Sequence, residues 1–117
     1  MVTPGLPVPK KGDLIWLDFS PQAGHEQAGR RPALVITPSL FNRSTNLLFA
    51  APITSRVRGH EFEVPLPAGL SISGVILVHH TRSVDWKVRN AEIIEAVPEE
   101  TLFEVLDILN AVVEDEE

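Results

Sequence analysis

The sequence predicts a mainly β chain with helices, an α+β fold in which a small barrel-like sheet is capped by a C-terminal helix. Three observations predict it. Short apolar runs of strand length, rich in Leu, Val and Ile, recur along the chain. Ten prolines and seven glycines break these runs at short intervals. Sustained helical periodicity is confined to the end, where Leu102, Val105, Leu106, Leu109, Val112 and Val113 recur at helical spacing.

The N-terminal segment, residues 1–10, is Pro-rich and lacks an apolar centre, so it reads as an extended arm and not as a signal peptide. The first strand runs from Asp13 to Phe19, with apolar groups on both of its faces. A loop over Gly24–Arg31 follows. Pro32 pushes Arg31 toward extended geometry and places it at the mouth of the second strand, Ala33 to Thr37, which Pro38 ends. Ser39 to Asn42 is a single helical turn. Leu47 to Ile53 is an apolar strand that delivers Thr54 and Ser55 to its exit. Arg56-Val57-Arg58-Gly59-His60 is a basic connection, and Glu61 to Leu66 alternates as a half-exposed strand does. Gly74 to Val78 reads as a buried strand continuing through His79 and His80 toward Val84. Trp86 to Asn90 is a turn, and Ala91 to Val97 a last strand. The helix spans residues 98–113. Pro98 suits its first position, Glu99 and Glu100 complement its dipole, and Phe103 and Ile108 widen its apolar face beyond what one small sheet covers.

The 117 residues make one domain, with no repeat, linker or second domain. With no cysteine there is neither a disulfide framework nor a thiolate metal site. Histidines 25, 60, 79 and 80 lack metal-binding spacing, so no metal and no cofactor is expected. No stretch approaches transmembrane length, and the expected compartment is the cytoplasm. Asn42-Arg43-Ser44 fits a glycosylation sequon by chance. Net charge is −6, unevenly spread. Residues 1–91 hold all ten Lys and Arg against six acids, and residues 92–117 hold ten acids and no Lys or Arg. A polyanion can dock on the first part while the acidic tail stays away.

The stretch that carries chemistry is Gly24-His25-Glu26-Gln27-Ala28-Gly29-Arg30-Arg31-Pro32. It sets a carboxylate, a histidine and two arginines between glycines that let the backbone approach a ligand. Arginine presents a planar fork of donors suited to phosphate. Taken alone, it reads as a solvated loop. Together with Gly12-Asp13-Leu14-Ile15-Trp16-Leu17-Asp18-Phe19 before it and Ala33-Leu34-Val35-Ile36 after it, it resembles the opening of the MazF/PemK family of toxin endoribonucleases. Pro52-Ile53-Thr54-Ser55, Gly59 to Val64, Gly74-Val75 and Ser83-Val84-Asp85-Trp86 follow in the family's order, so the resemblance runs from about residue 10 to the C-terminal helix. It implies a MazF/CcdB-like fold, an SH3-like barrel with helices, paired into a homodimer. The implied activity is sequence-selective, metal-independent cleavage of single-stranded RNA, neutralised by a cognate antitoxin that brings an acidic or apolar segment into the basic groove.

Metal-free RNA cleavage uses the substrate's own 2′-OH as nucleophile and leaves a 2′,3′-cyclic phosphate and a 5′-OH. It needs a base for that hydroxyl, cations for the phosphorane and an acid for the leaving oxygen. Arg31, charged at any working pH, is the candidate for the phosphorane. The resemblance makes Thr54, in the family's Pro-x-Thr pattern, a phosphate contact. It makes Glu26 a candidate base, with a solvated carboxylate or an RNA-base contact as the other readings. Arg30 steers phosphates or is solvated. His25, Gln27, Ser55, Arg56 and Arg58 are RNA-binding candidates, and His60 extends the basic edge. His79-His80 stands where the family commonly has Asp-Gln, with that Asp an active-site residue in some members, so His79 is an RNA-binding candidate that replaces it as a base, and packing or an unused role are the other readings. Trp86 and Phe19 read as core. Two other readings share the fold: a toxin that binds and poisons DNA gyrase without catalysis, and a silent relative that only binds.

Overall fold

The first apolar run forms β1 (Asp13–Asp18), and its burial shows why the run lacks strict alternation. Leu14 faces one cluster, with Leu34, Ile53, Ile76 and Val105, whereas Ile15 and Leu17 face another, with Val35, Leu48, Val84 and Trp86. Both faces of the strand are covered. Each of these fully buried side chains contributes roughly 1.5–3 kcal/mol relative to an exposed one. The structure, a computed structural model, describes residues 7–19 and 29–114.

The chain continues as β2 (Arg30–Val35), α1 (Ser39–Thr45), β3 (Leu47–Thr54), β4 (Glu63–Pro65), β5 (Val75–Leu77), β6 (Arg82–Asp85), β7 (Glu92–Ala96) and α2 (Glu99–Val113). All recorded pairings are antiparallel, in the order β4-β5-β3-β2-β1-β7, with β6 also on β3. The mainly β, helix-capped class is the one expected. The sheet itself is open, because among the described residues no pairing joins β4 to β7.

Two differences from the sequence reading bear on the site. β2 begins at Arg30, so both arginines lie on the strand instead of in the loop before it. Pro32 is tolerated because the β2–β3 ladder starts only at Ala33↔Pro52, where neither proline has an N–H to leave unpaired. The expected strand through His79 and His80 is also interrupted. β5 pairs with the far half of β3 (Ile53↔Ile76, Thr54↔Val75) and β6 with the near half (Ala50↔Arg82 to Leu47↔Asp85). Between them the chain spends residues 77–81 where β3 spends only Ala51 and Pro52. The excess is taken up by a 3-10 turn at Val78–His80, closed by Thr81, whose N–H and Oγ1 both donate to the Val78 carbonyl. Val78 stays in the core while His79 and His80 are expelled to the surface.

Smaller differences follow local chemistry. α1 runs on to Thr45 because Asn46 ends it in the left-handed region, φ 61°. Asn42 is fully buried and seats this helix. Its amide donates to the Pro9 and Thr37 carbonyls, its Oδ1 accepts from Thr37 Oγ1, and its main-chain oxygen accepts Trp86 Nε1. A side chain so engaged is closed to glycosylation. Pro98 caps α2 in extended geometry and lies just outside it. No helix of the described residues is long and apolar enough to cross a membrane.

Candidate active site

An open cleft of about 920 Å³ lies where β3 parts from β2 and turns to β5. Arg31 and Thr54, predicted from separate blocks of sequence, both line it. They also line an adjoining cleft of about 500 Å³ with Trp16 and Ser71 to Ser73. Arg31 lies opposite Leu17 on β1 and is exposed. Thr54 ends β3, half-buried, paired with Val75. Its Oγ1 accepts the N–H of Arg56 at 3.1 Å. With that acceptor role taken, the hydroxyl hydrogen can be donated to a ligand oxygen.

The β3–β4 connection adds Ser55, Arg56, Arg58 and His60, all exposed. Glu63 on β4 shapes it. One of its carboxylate oxygens accepts the main-chain N–H of Gly59 at 3.0 Å and, with the other, that of Arg58. Among the described residues that line the cleft, Glu63 is the acidic one, against Arg31, Arg56, Arg58 and Arg82. The cleft is therefore cationic in a chain of net charge −6, as a site for a polyanion requires.

Arg30 is not brought to this cleft. Neighbouring strand residues point to opposite faces. The Arg30 guanidinium donates to Asp18 at 3.0 Å and to Glu92 at 3.1 Å, tying β2 to β1 and β7. Asp18 also accepts from Asn90 Nδ2 at 2.8 Å. That hydrogen bond, the one from Arg30 and the charges of Arg30 and Arg89 hold its carboxyl below its usual 3.8. Arg89 donates to the Asp18 and Phe19 carbonyls. These contacts anchor the end of β1, from which Phe19 reaches the cleft under the Arg82 guanidinium, 5.6 Å from its ring centroid. Phe19 is thus both packed on the core and part of the cleft wall.

The 3-10 turn delivers His79 and His80 to the same cleft. His79 stacks on His60, centroids 4.6 Å apart and planes within 6°, and meets His80 edge-on at 4.4 Å. Shielding from water, then the charges of His80 and His60, hold His79 below its ordinary 6.5, while Glu63 opposes them. The candidates His25, Glu26 and Gln27 lie outside the described residues. No group of three or more His, Asp or Glu among the described residues has the geometry to hold a metal ion.

Sequence reasoning missed Arg82, Phe19 and Glu63 as cleft residues. For Phe19 a signal existed, since it closes the strand leading into the chemical loop. Arg82 had none, because its position depends on the excess residues of the 3-10 turn.

The PemK-like, MazF-like toxins of type II toxin-antitoxin systems match residues 10–113. The endoribonuclease toxin MazF of Escherichia coli K12 is 44% identical over 84 residues, 72% of this chain and 75% of the relative. The endoribonuclease PemK of Escherichia coli is 39% identical over 107 residues, 88% and 80% of the two chains. A crystal structure of MazF from Deinococcus radiodurans superposes with a TM-score of 0.84 at 51% identity, covering 92% of this chain and 98% of that one. A MazE–MazF complex from the same organism gives 0.82 at 44%, covering 93% and 98%. With its fold and nearly its whole length matched, the chain belongs to the PemK-like, MazF-like toxin family of type II toxin-antitoxin systems.

Proposed function

We propose that this protein is a sequence-selective endoribonuclease toxin that cleaves single-stranded RNA without a metal and is neutralised by a cognate antitoxin. The observation that carries this reading is the convergence of Arg31 and Thr54 on one cationic cleft. The substrate's 2′-oxygen bonds to the adjacent phosphorus as the bond to the 5′-oxygen breaks. The 2′-OH proton passes to a base and the leaving oxygen takes up a proton, giving a 2′,3′-cyclic phosphate and a 5′-OH. Arg31 lends its charge to the phosphorane as it forms. Thr54 Oγ1 donates to a non-bridging oxygen. Glu26 is the candidate base by resemblance. Ser55, Arg56 and Arg58 bind flanking phosphates. The names of the relatives support RNA as substrate, and the MazE–MazF complexes support an antitoxin partner. The toxin acts in the cytoplasm as a homodimer.

The test is incubation of the purified protein with a long RNA in excess EDTA, followed by sequencing of the fragment ends. Discrete fragments with 5′-OH and cyclic-phosphate ends are expected. Activity that vanishes in EDTA and returns with magnesium overturns the metal-free mechanism. Intact RNA together with inhibited DNA gyrase overturns the nuclease reading.

A further inference from the structure

Three imidazoles meet on one wall of the cleft, from two separate segments. His60 comes from the β3–β4 connection and His79 and His80 from the 3-10 turn. His60 accepts the Phe62 N–H on Nδ1 at 3.1 Å, which leaves Nε2 as its donor when neutral. Phe62 backs the cluster, its ring centroid 5.7 Å from His79. Arg56 and Arg58 precede His60 in the chain, Arg82 follows the turn, and all line the same cleft. The histidines thus stand between arginines suited to a phosphate backbone, and imidazole is the side-chain type whose ordinary titration range lies nearest neutral pH.

We propose that His79 and His80, with neutral His60 beside them, form a proton-gated phosphate subsite of the cleft, taking a backbone phosphodiester of the RNA strand when the His79 and His80 imidazoles carry protons. The inference rests on RNA as the substrate, and it names a device by which this chain tunes RNA affinity. Shielding from water, then repulsion from the neighbouring imidazoles, opposes protonation of His79 in the empty site. A phosphodiester laid across it offsets that repulsion. The groups that act on His79 are His80 on its own turn, His60 from the β3–β4 connection and Glu63 on β4. α2 and β3 also pack on this turn: β3 has no titratable side chain, Val105 of α2 joins Val78 in the core, and no α2 carboxylate is among the charges acting on His79. Within this set Glu63 is the carboxylate, and it is already engaged by two main-chain N–H groups. His79 holds its proton weakly in the free protein and strongly with a phosphodiester bound, so binding takes up protons. Affinity must then rise as pH falls from neutrality through the depressed value of His79, and level off below it.

The test is fluorescence anisotropy with a labelled, fully 2′-O-methylated mixed-sequence oligonucleotide, which lacks the attacking hydroxyl and stays intact. Binding is measured across salt at about pH 5.5 and about pH 8, on either side of the ordinary histidine range. Tighter binding is expected in acid, with the slope of log affinity against log salt steeper by roughly 0.7 for each protonated histidine. His79→Gln/His80→Gln should lose this acid-driven gain, and Arg31→Ala should keep it. In NMR, the His79 ring titration should move upward on adding the oligonucleotide. Equal slopes at the two pH values, or an acid gain that survives the double substitution, overturn the subsite. So does an acid gain for poly-glutamate with none for the oligonucleotide, which would assign the cluster to a protein partner. No oligonucleotide binding at either pH overturns the subsite and the RNA reading together, a result distinct from pH-independent binding.

Discussion

Gly74 lies directly against the main chain of Thr54: a Cβ built on it would overlap the Thr54 carbonyl oxygen and stand 2.9 Å from the carbonyl carbon. Its φ of +127° is also one that a side chain disfavours. Gly74 leads into β5 and Thr54 ends β3, so this close approach sets where the Thr54 hydroxyl and Ser55 stand in the cleft.

Gly74→Ala should therefore displace the exit of β3. We expect a loss of about 1–3 kcal/mol in urea unfolding, together with a fall in cleavage measured at a temperature where the variant is fully folded. A variant with parent stability and parent cleavage would show that β3 and β5 adjust freely at this point.

Arg31→Ala should lower the single-turnover cleavage rate by about 10²–10³ at saturating protein, because its contact strengthens as the phosphorane charge develops. The fold should be unaffected, since Arg31 is exposed. Arg31→Lys should recover only part of the rate, a point charge being a poor replacement for the planar fork. Arg58→Ala should instead weaken RNA binding and flatten its salt slope by roughly 0.7. Parent rates for Arg31→Ala under saturation would reduce Arg31 to a binding residue.

Asp18 governs an acid limb of stability. Its carboxyl is held below 3.8 in the folded chain. The stabilisation it supplies is present above 3.8 and is lost as pH falls through the lower, folded value. Asp18→Asn should cost about 0.2–1 kcal/mol near neutrality, the range of a partly exposed ion pair. The difference from the parent should close in acid. Thermal melts across pH measure this, and a difference that stays constant down to strong acid would remove Asp18 as its source.

α2 leaves Phe103 57% and Val113 72% exposed, while Val105 is buried beneath it. A helix with apolar side chains on its outer side calls for a second surface. Light scattering at micromolar concentration should give twice the 12.9 kDa mass of the chain. A monomer under these conditions would contradict the homodimer.

The strand and helix positions were legible in the sequence because they depend on local pattern. Leu14, Ile15 and Leu17 announced a strand covered on both faces, and the spacing of Leu102, Val105 and Leu109 announced α2. Arg31 and Thr54 were legible for another reason: each lies in a block of residues whose order resembles one family, and the pairing of β3 with β2 on one side and β5 on the other brings the two blocks to one cleft. What the tertiary structure decided was the side to which each neighbouring residue turns. Arg30 and Arg31 are identical in chemistry and adjacent in sequence, yet the strand pleat sends one to Asp18 and Glu92 and the other to the cleft. His79 and His80 read as strand. They leave the sheet because β5 and β6 share one edge of β3, and the excess chain between them must turn outward. Register across a sheet is set by partners distant in sequence, so neither outcome is contained in the local pattern that places the strands.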